Sequence, residues 1–418
     1  MPSSHTASNS DMGSSHMANK CRTDNTSSSQ QALIGSSVNS RLHFCRKVKC
    51  KVKYKVKYSH MVKTPISQVI CKLAKTRTRR TQSHLICQVM QMKAVNFKTA
   101  GDSEFITCLL SHLQGSGFSL QKAAKIRNNI FYIETNGFRK FIAKGFSSEK
   151  KLLLQSRLIN LLKNNGFDKT YSINVDLPPM QVGGLHYAFL EYLMPHPNPF
   201  IFLGKSERQE GLQLLGQFHV ASSRISDDFH LDLSSFDQTG KWSERFRRFQ
   251  HNLPMVRNYV SDHVLEQWQK WADWSLEGLT RNISWLTHEK MAIIHGDVAN
   301  HNFLRKITGE LCLIDFDLIS IAPPVIDYLQ YANRILPYVS KPDEIWEYPE
   351  LAPYKRNPAF LYALAFPADI FREWNRLAKE QKEARQPQLH AIWKMTVEQF
   401  INRMHFNRHL EQLILSLK

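Results

Sequence analysis

Apolar and polar positions along this chain keep two different periods. Residues 124–128 and 130–134 read as strands joined at Asn128-Asn129, and Asn136-Gly137 marks a tight turn into a third strand over 138–146. An antiparallel sheet is expected. From Ser147 the period lengthens: a serine cap is followed by apolar residues at 152, 153, 158, 159, 161 and 162, and Gly166 supplies the stop, which predicts a helix. Residues 187–193 return to strand, and Pro195, Pro197 and Pro199 then break regularity at the joint between two lobes. Beyond the prolines the period is helical, over 207–222, twice within 242–285, over 358–379 and over 389–417. Trp268, Trp271 and Trp274 form an amphipathic stripe expected in the core. The expected fold class is α+β, with a small antiparallel-sheet lobe over 92–194 and a larger, mainly helical lobe over 195–418.

Charge is distributed unevenly. Residues 1–95 hold 17 of the 55 Lys and Arg but only Asp11 and Asp24 of the 36 acids, so +15 of the formal +19 lies in the tail and +4 in the rest. A nucleic-acid partner would rest on that tail alone and is not expected for the body. Residues 1–40, rich in Ser, Asn and Thr, cannot bury enough surface to offset the entropy of ordering, so a disordered basic extension is expected over 1–91. Residues 47–58 alternate lysine with apolar residues and are taken as solvated. Met12-Gly13-Ser14-Ser15-His16-Met17 looks like a vector scar, with Met92 a natural start. Five of the seven cysteines lie in the tail, leaving Cys108 and Cys312 and no disulfide or zinc spacing in the body. No apolar run reaches the ~18 residues of a membrane helix. A cytoplasmic protein is expected; oligomeric state is not legible.

The chemistry concentrates in one stretch. Ile293-Ile294-His295-Gly296-Asp297-Val298-Ala299-Asn300-His301-Asn302 precedes Leu311-Cys312-Leu313-Ile314-Asp315-Phe316-Asp317. An apolar run, a loop with one Asp and an Asn five residues on, and a second apolar run ending in Asp is the layout phosphoryl transfer needs. A carboxylate must orient the acceptor hydroxyl and take its proton, and oxygen ligands must hold Mg²⁺ against the phosphates of ATP. Asp297 suits the first task; Asn302 and Asp315 suit the second.

This pattern, His-x-Asp-x-x-x-x-Asn followed by Ile-Asp-Phe-Asp, resembles the aminoglycoside phosphotransferase and choline kinase superfamily, in particular its spore-coat-associated branch. Leu214-Leu215-Gly216-Gln217-Phe218-His219 and Pro323-Pro324-Val325-Ile326-Asp327-Tyr328-Leu329 are similar to two further segments of it, and the resemblance spans roughly residues 96–410. It implies a two-lobed protein-kinase-like fold and an ATP- and Mg-dependent kinase acting on a hydroxyl of a small molecule. Lys144 takes the place of the phosphate-pairing lysine, with Lys140 a competitor on the same strand face. Gln155 stands where a lysine-pairing Glu is usual, with Glu149 a possible substitute, and no Gly-x-Gly-x-x-Gly is present. The turn Arg127-Asn128-Asn129 would cover the phosphates, and the backbone of Glu191 and Leu193 would meet the adenine edge. Asp317 would reach a second Mg²⁺, His295 would orient the loop, and Asp327 would be a buried carboxylate accepting hydrogen bonds from it.

Two features qualify the function. Arg385, Lys394, Arg403, Arg408 and Lys418 outnumber Glu398 and Glu411 in residues 385–418, which disfavours a polycationic aminoglycoside as acceptor. Gln155 keeps open an alternative: a catalytically weak or inactive kinase-fold protein with a structural or binding role.

Overall fold

The structure is a computed structural model that describes residues 100–174, 176–380 and 386–417, so the expectations for residues 1–91 lie outside the described residues. Strands β1 (Leu120–Arg127), β2 (Ile130–Thr135) and β3 (Lys140–Phe146) form successive antiparallel pairs, joined by turns at Asn129, with φ 59°, and Gly137, with φ 73°. The left-handed backbone at Gly137 is one that glycine adopts without cost. Helix α2 (Glu149–Asn164) follows, its N-terminus capped by the Ser148 hydroxyl, which accepts from the Lys151 amide at 3.3 Å. Strands β4 (Met180–Val182) and β5 (Leu185–Glu191) complete a five-stranded sheet in the order β1-β2-β3-β5-β4. The expected strand over 187–193 therefore stops two residues early, leaving Leu193 in the connection between lobes.

Period-two alternation gives this sheet two distinct faces. Phe131, Ile133, Phe141, Ala143, Tyr187 and Phe189 point to one and are covered by a helix that the sequence reading did not anticipate, α1 (Ala100–Gly115). Phe105, Leu109 and Leu113, four residues apart, form its buried stripe, and Phe105 stacks on Phe131 with ring centroids 3.9 Å apart. Each such side chain contributes about 1.5–3 kcal/mol over an exposed one. Lys144 shares the other face with Phe146, Ala188 and Leu190. This face meets α2, whose buried stripe of Leu152, Leu158, Ile159 and Leu162 includes one polar member, Gln155.

The connection after β5 is tied down by backbone bonds, Ile307 N–H to the Met194 carbonyl and His196 N–H to the Arg305 carbonyl, both 2.8 Å. The second lobe begins with α3 (Lys205–Ser222), α4 (Gln238–Val256), α5 (Asp262–Arg281) and the short α6 (Ser284–Thr287). Two small antiparallel strand pairs follow, β6 (Ala292–Ile294) with β9 (Ser320–Ala322) and, nested between them in the chain, β7 (Phe303–Arg305) with β8 (Leu311–Leu313). Then comes α7 (Val325–Ile335). The helix expected over 358–379 is two, α8 (Pro358–Ala365) and α9 (Ala368–Lys379), because Pro367 has no N–H to continue the ladder. The segment expected from 389 is α10 (Gln386–Trp393) and α11 (Phe400–Ser416), separated by a π-helical turn at Lys394–Glu398. Thr396 in that turn accepts two indole N–H groups, Trp374 on its hydroxyl at 2.9 Å and Trp268 on its carbonyl at 3.2 Å. Trp268 and Trp271 are buried, and Trp274 packs on Tyr362 at 4.8 Å. Among the described residues no helix is long and apolar enough to cross a membrane.

Candidate active site

The two strand pairs of the second lobe bring one end of each to a common rim. β6 delivers His295, Gly296 and Asp297, and the loop before β7 carries Asn302. The residues after β8 carry Asp315 and Asp317. The backbone links the two loops, since Ile314 N–H donates to the Asn302 carbonyl at 2.9 Å and His295 Nε2 meets the Ile314 carbonyl at 3.0 Å. Two backbone positions are unusual. Gly296 has φ 77°, and a Cβ there would collide with the Leu318 carbonyl oxygen. Asp315 holds φ 71° without being glycine, a conformation that costs of order 1 kcal/mol and persists where surroundings over-determine it.

Asp327, wholly buried at the start of α7, fastens the first loop. Its carboxylate accepts from the His295 amide at 2.7 Å, the Gly296 amide at 2.9 Å and His219 Nε2 at 2.9 Å. Burial alone would raise its carboxyl, but the His219 hydrogen bond, His295 and the Gly296 amide override that and hold it below the usual range. Asp297 remains one-third exposed. Asn302 Nδ2 donates to its carbonyl at 2.8 Å and to Oδ2 at 3.3 Å, and Arg334 reaches Oδ1 at 3.3 Å. With both donations made by Nδ2, the side-chain Oδ1 of Asn302 has no protein donor among the described residues.

Across the cleft Lys144, nearly buried, pairs with Asp315 at 2.9 Å and Asp317 at 2.7 Å. Arg127, at the end of β1, also pairs with Asp315. Burial would raise the Asp315 carboxyl, yet Lys144 and Arg127 together depress it far below the usual range. No hydrogen bond joins Gln155 to the lysine among the described residues. Its Nε2 donates to Asp317 Oδ1 at 2.7 Å and to the Phe316 carbonyl at 3.0 Å, while its buried Oε1 has no hydrogen-bond partner among the described residues. Glu149 is exposed at the head of α2, and Lys144 finds its two carboxylates on the second lobe instead.

Lys144, Gln155, Asp315 and Asp317 thus form one cluster; Asp297, Asn302, His295 and Asp327 form the adjoining loop. Among the described residues no hydrogen bond joins Asn128 or Asn129 to either. The Asn129 carbonyl accepts from Gly145 N–H at 2.8 Å, and it is Arg127 that carries this turn's contact to the site. Glu191 and Leu193 also stand apart: the Glu191 amide donates to the Ser172 carbonyl at 2.8 Å, its carboxylate accepts from the Ser172 amide at 3.0 Å, and Leu193 is buried. Sequence reasoning placed Arg127 in the phosphate-covering turn but gave its side chain no partner, and it gave no role to His219, His301 or Arg334. Arg334 had a signal, since it lies seven residues beyond Asp327 on the same helical face. His301 is lowered by burial and by Arg127 and Arg334, against the opposing pull of Asp297 and Asp315.

The donor set fits a hard cation. Among the described residues no cluster of three His, Cys, Asp or Glu could enclose a metal ion. Mg²⁺ asks for less: one or two carboxylates, with water and phosphate oxygens completing its shell. Asp315, Asp317 and the side-chain Oδ1 of Asn302 meet that requirement.

Residues 122–346, just over half of the chain, match the model of a family described as the phosphotransferase enzyme family. Among solved structures, an aminoglycoside phosphotransferase from Alicyclobacillus acidocaldarius is similar at 19% identity and a TM-score of 0.52, covering 71% of this chain and 93% of that one. A spectinomycin phosphotransferase solved with ADP and spectinomycin is similar at 16% identity and a TM-score of 0.50, covering 73% and 98%. These likenesses show the two-lobed fold. No curated protein matches the chain.

Proposed function

The chain belongs to the phosphotransferase enzyme family, and from that premise we propose that it transfers the terminal phosphoryl group of ATP, with Mg²⁺, to a hydroxyl of a small molecule. One observation carries this: Asp297, Asn302 and Asp315 lie on linked loops at one rim, opposite the inward-facing Lys144. When bound, Mg²⁺ neutralises phosphate oxygens, and Asn302, Asp315 and Asp317 would hold it. Lys144, released from the aspartates, would pair with the phosphates under the turn Arg127-Asn128-Asn129. The Leu193 amide and Glu191 carbonyl would meet the adenine edge. Asp297, accessible and steadied by Asn302, would orient the acceptor hydroxyl and take its proton as the oxygen attacks. His295 and Asp327 would set the loop's geometry. Such an enzyme draws on ATP and would work in the cytoplasm. The placement in the spore-coat-associated branch rests on the motif spacing alone.

Gln155 favours a second reading, a kinase-fold protein with a binding or structural role, because no neutralising Glu stands on α2. ADP release decides between them. Wild type should turn over with some acceptor, and Asp297→Asn should keep Mg·ATP affinity while losing turnover by a factor on the order of 10² or more. If Mg·ATP binds and no acceptor supports ADP release, the second reading prevails; undiminished turnover in Asp297→Asn removes the catalytic assignment.

A further inference from the structure

Around Arg334 the helices carry more positive charge than their own carboxylates neutralise. Arg334, on α7, reaches Asp297 at 3.3 Å. α4 packs along α9, and Arg245 on α4 donates from Nη1 to the carbonyl of Ala368, the first residue of α9, at 3.1 Å. Arg372 lies one turn further along α9. The three guanidiniums feel one another: burial first, then Arg372 and Arg334, lower Arg245 to about 10, and burial followed by Arg372 lowers Arg334.

The carboxylates in reach are already engaged. Glu373 is shared by Arg372 at 2.9 Å and Arg376 at 2.6 Å, Asp369 is paired with Arg403, and Asp297 with Arg334. Arg245 has no carboxylate partner among the described residues. Five guanidiniums therefore share three carboxylates, a surplus of two positive charges in a cluster that Arg334 joins to the candidate base. Such a surplus, partly withdrawn from water, is costly until an anion meets it. Arg334 and Arg372 keep 32% and 40% of their side-chain surface exposed, so a solute can reach them.

Resting on the kinase reading above, we propose that the acceptor is an anionic hydroxyl compound, a hydroxy acid or a sugar phosphate, whose carboxylate or phosphate is held by Arg245, Arg334 and Arg372 while its hydroxyl meets Asp297. Guanidinium forks match either oxyanion bidentately. An amino sugar or quaternary ammonium would meet like charge at the same place. The anion also draws Arg334 away from Asp297, freeing that carboxylate when an acceptor is present. The acceptor oxygen then bonds to the terminal phosphorus of ATP, the bond from that phosphorus to the bridging oxygen breaks, ADP leaves, and the hydroxyl proton passes to Asp297.

The test is ADP release by the full chain with Mg·ATP and glycerate, gluconate, glycerol 3-phosphate or glucose 6-phosphate, with glycerol, choline and kanamycin alongside. Turnover is expected with the anions only, the carboxylate and phosphate arms separating the two sources. Arg245→Gln and Arg372→Gln should each raise the acceptor KM tenfold or more with little change in the KM for ATP, and Arg245→Lys should regain part of the loss. Equal turnover of glycerol, choline or kanamycin overturns the proposal and leaves a small-molecule kinase standing. So does an unchanged acceptor KM in both Gln variants at wild-type Tm, or Mg·ATP binding with none of the four anions phosphorylated. Calorimetry showing no Mg·ATP binding removes the kinase reading and this inference together.

Discussion

Replacing Asp327 by alanine should unfasten the Asp297 loop, and the cost follows from its bonds. Three donors lose their acceptor: the His295 amide at 2.7 Å, the Gly296 amide at 2.9 Å and His219 Nε2 at 2.9 Å. Gly296 is only part-buried, so water can replace one bond. The His295 amide and the His219 ring are buried and have no such recourse. His219 Nδ1 has no partner among the described residues, so the tautomer protonated on Nε2 strands no N–H. Hydrogen bonds to a charged acceptor are worth about 1.5–3 kcal/mol each, which puts Asp327→Ala at about 3–6 kcal/mol for the two unreplaced bonds. At roughly 2 °C per kcal/mol for a body of this size, Tm should fall by about 6–12 °C in calorimetry. Asp327→Asn, which keeps one carbonyl but turns an NH₂ on a donor, should lose about half as much. A double-mutant cycle with His219→Ala should return a coupling of about 1–3 kcal/mol. An Asp327→Ala protein within about 1 kcal/mol of wild type would falsify the account of Asp327 as the loop's anchor.

Gly296→Ala forces a left-handed alanine onto the Leu318 carbonyl and should cost about 2–4 kcal/mol, with ADP release falling more steeply than Tm; wild-type stability would mean that the loop has room to shift. Gln155→Glu places a carboxylate beside Asp317 Oδ1 and the Phe316 carbonyl, so Tm at pH 8 should drop, and less at pH 5, where burial keeps the new carboxyl protonated; a Tm at or above wild type at pH 8 would show Lys144 turning to it instead. Asp315 and Asp327 both have folded pKa values below their unfolded value near 4, so the unfolded chain binds more protons there. Their stabilisation is full above about pH 4 and drains away as pH falls through the folded values. Acid unfolding followed by circular dichroism should therefore steepen below pH 4 in wild type and be shallower in Asp327→Asn; equal slopes would contradict the depressed carboxyl.

What the sequence reveals depends on how far apart the cooperating residues lie along the chain. Asp297, Asn302 and Asp315 fall within nineteen residues on the loops that flank β7 and β8, so their spacing alone marks them. Long periodic segments such as α2, α3 and α5 are legible for the same reason, as one buried face repeats several times. Strands β6 to β9, of three residues each, are too short to show alternation, and in α1 the exposed Leu110 and half-buried Ile106 and Cys108 blur the stripe of Phe105, Leu109 and Leu113. The meeting of Arg127 with Asp315 spans 188 positions, and Arg245, Arg334 and Arg372 stand on three helices that share no local pattern. Gln155 shows the limit most clearly. By position it reads as a lost partner for Lys144, a defect. In the fold Lys144 is already matched by Asp315 and Asp317, and a neutral amide is the group that can donate to both Asp317 and the Phe316 carbonyl without adding a third carboxylate to that pair. The substitution changes which lobe supplies the lysine's counter-charge, and that follows only from the packing of α2 against the segment after β8.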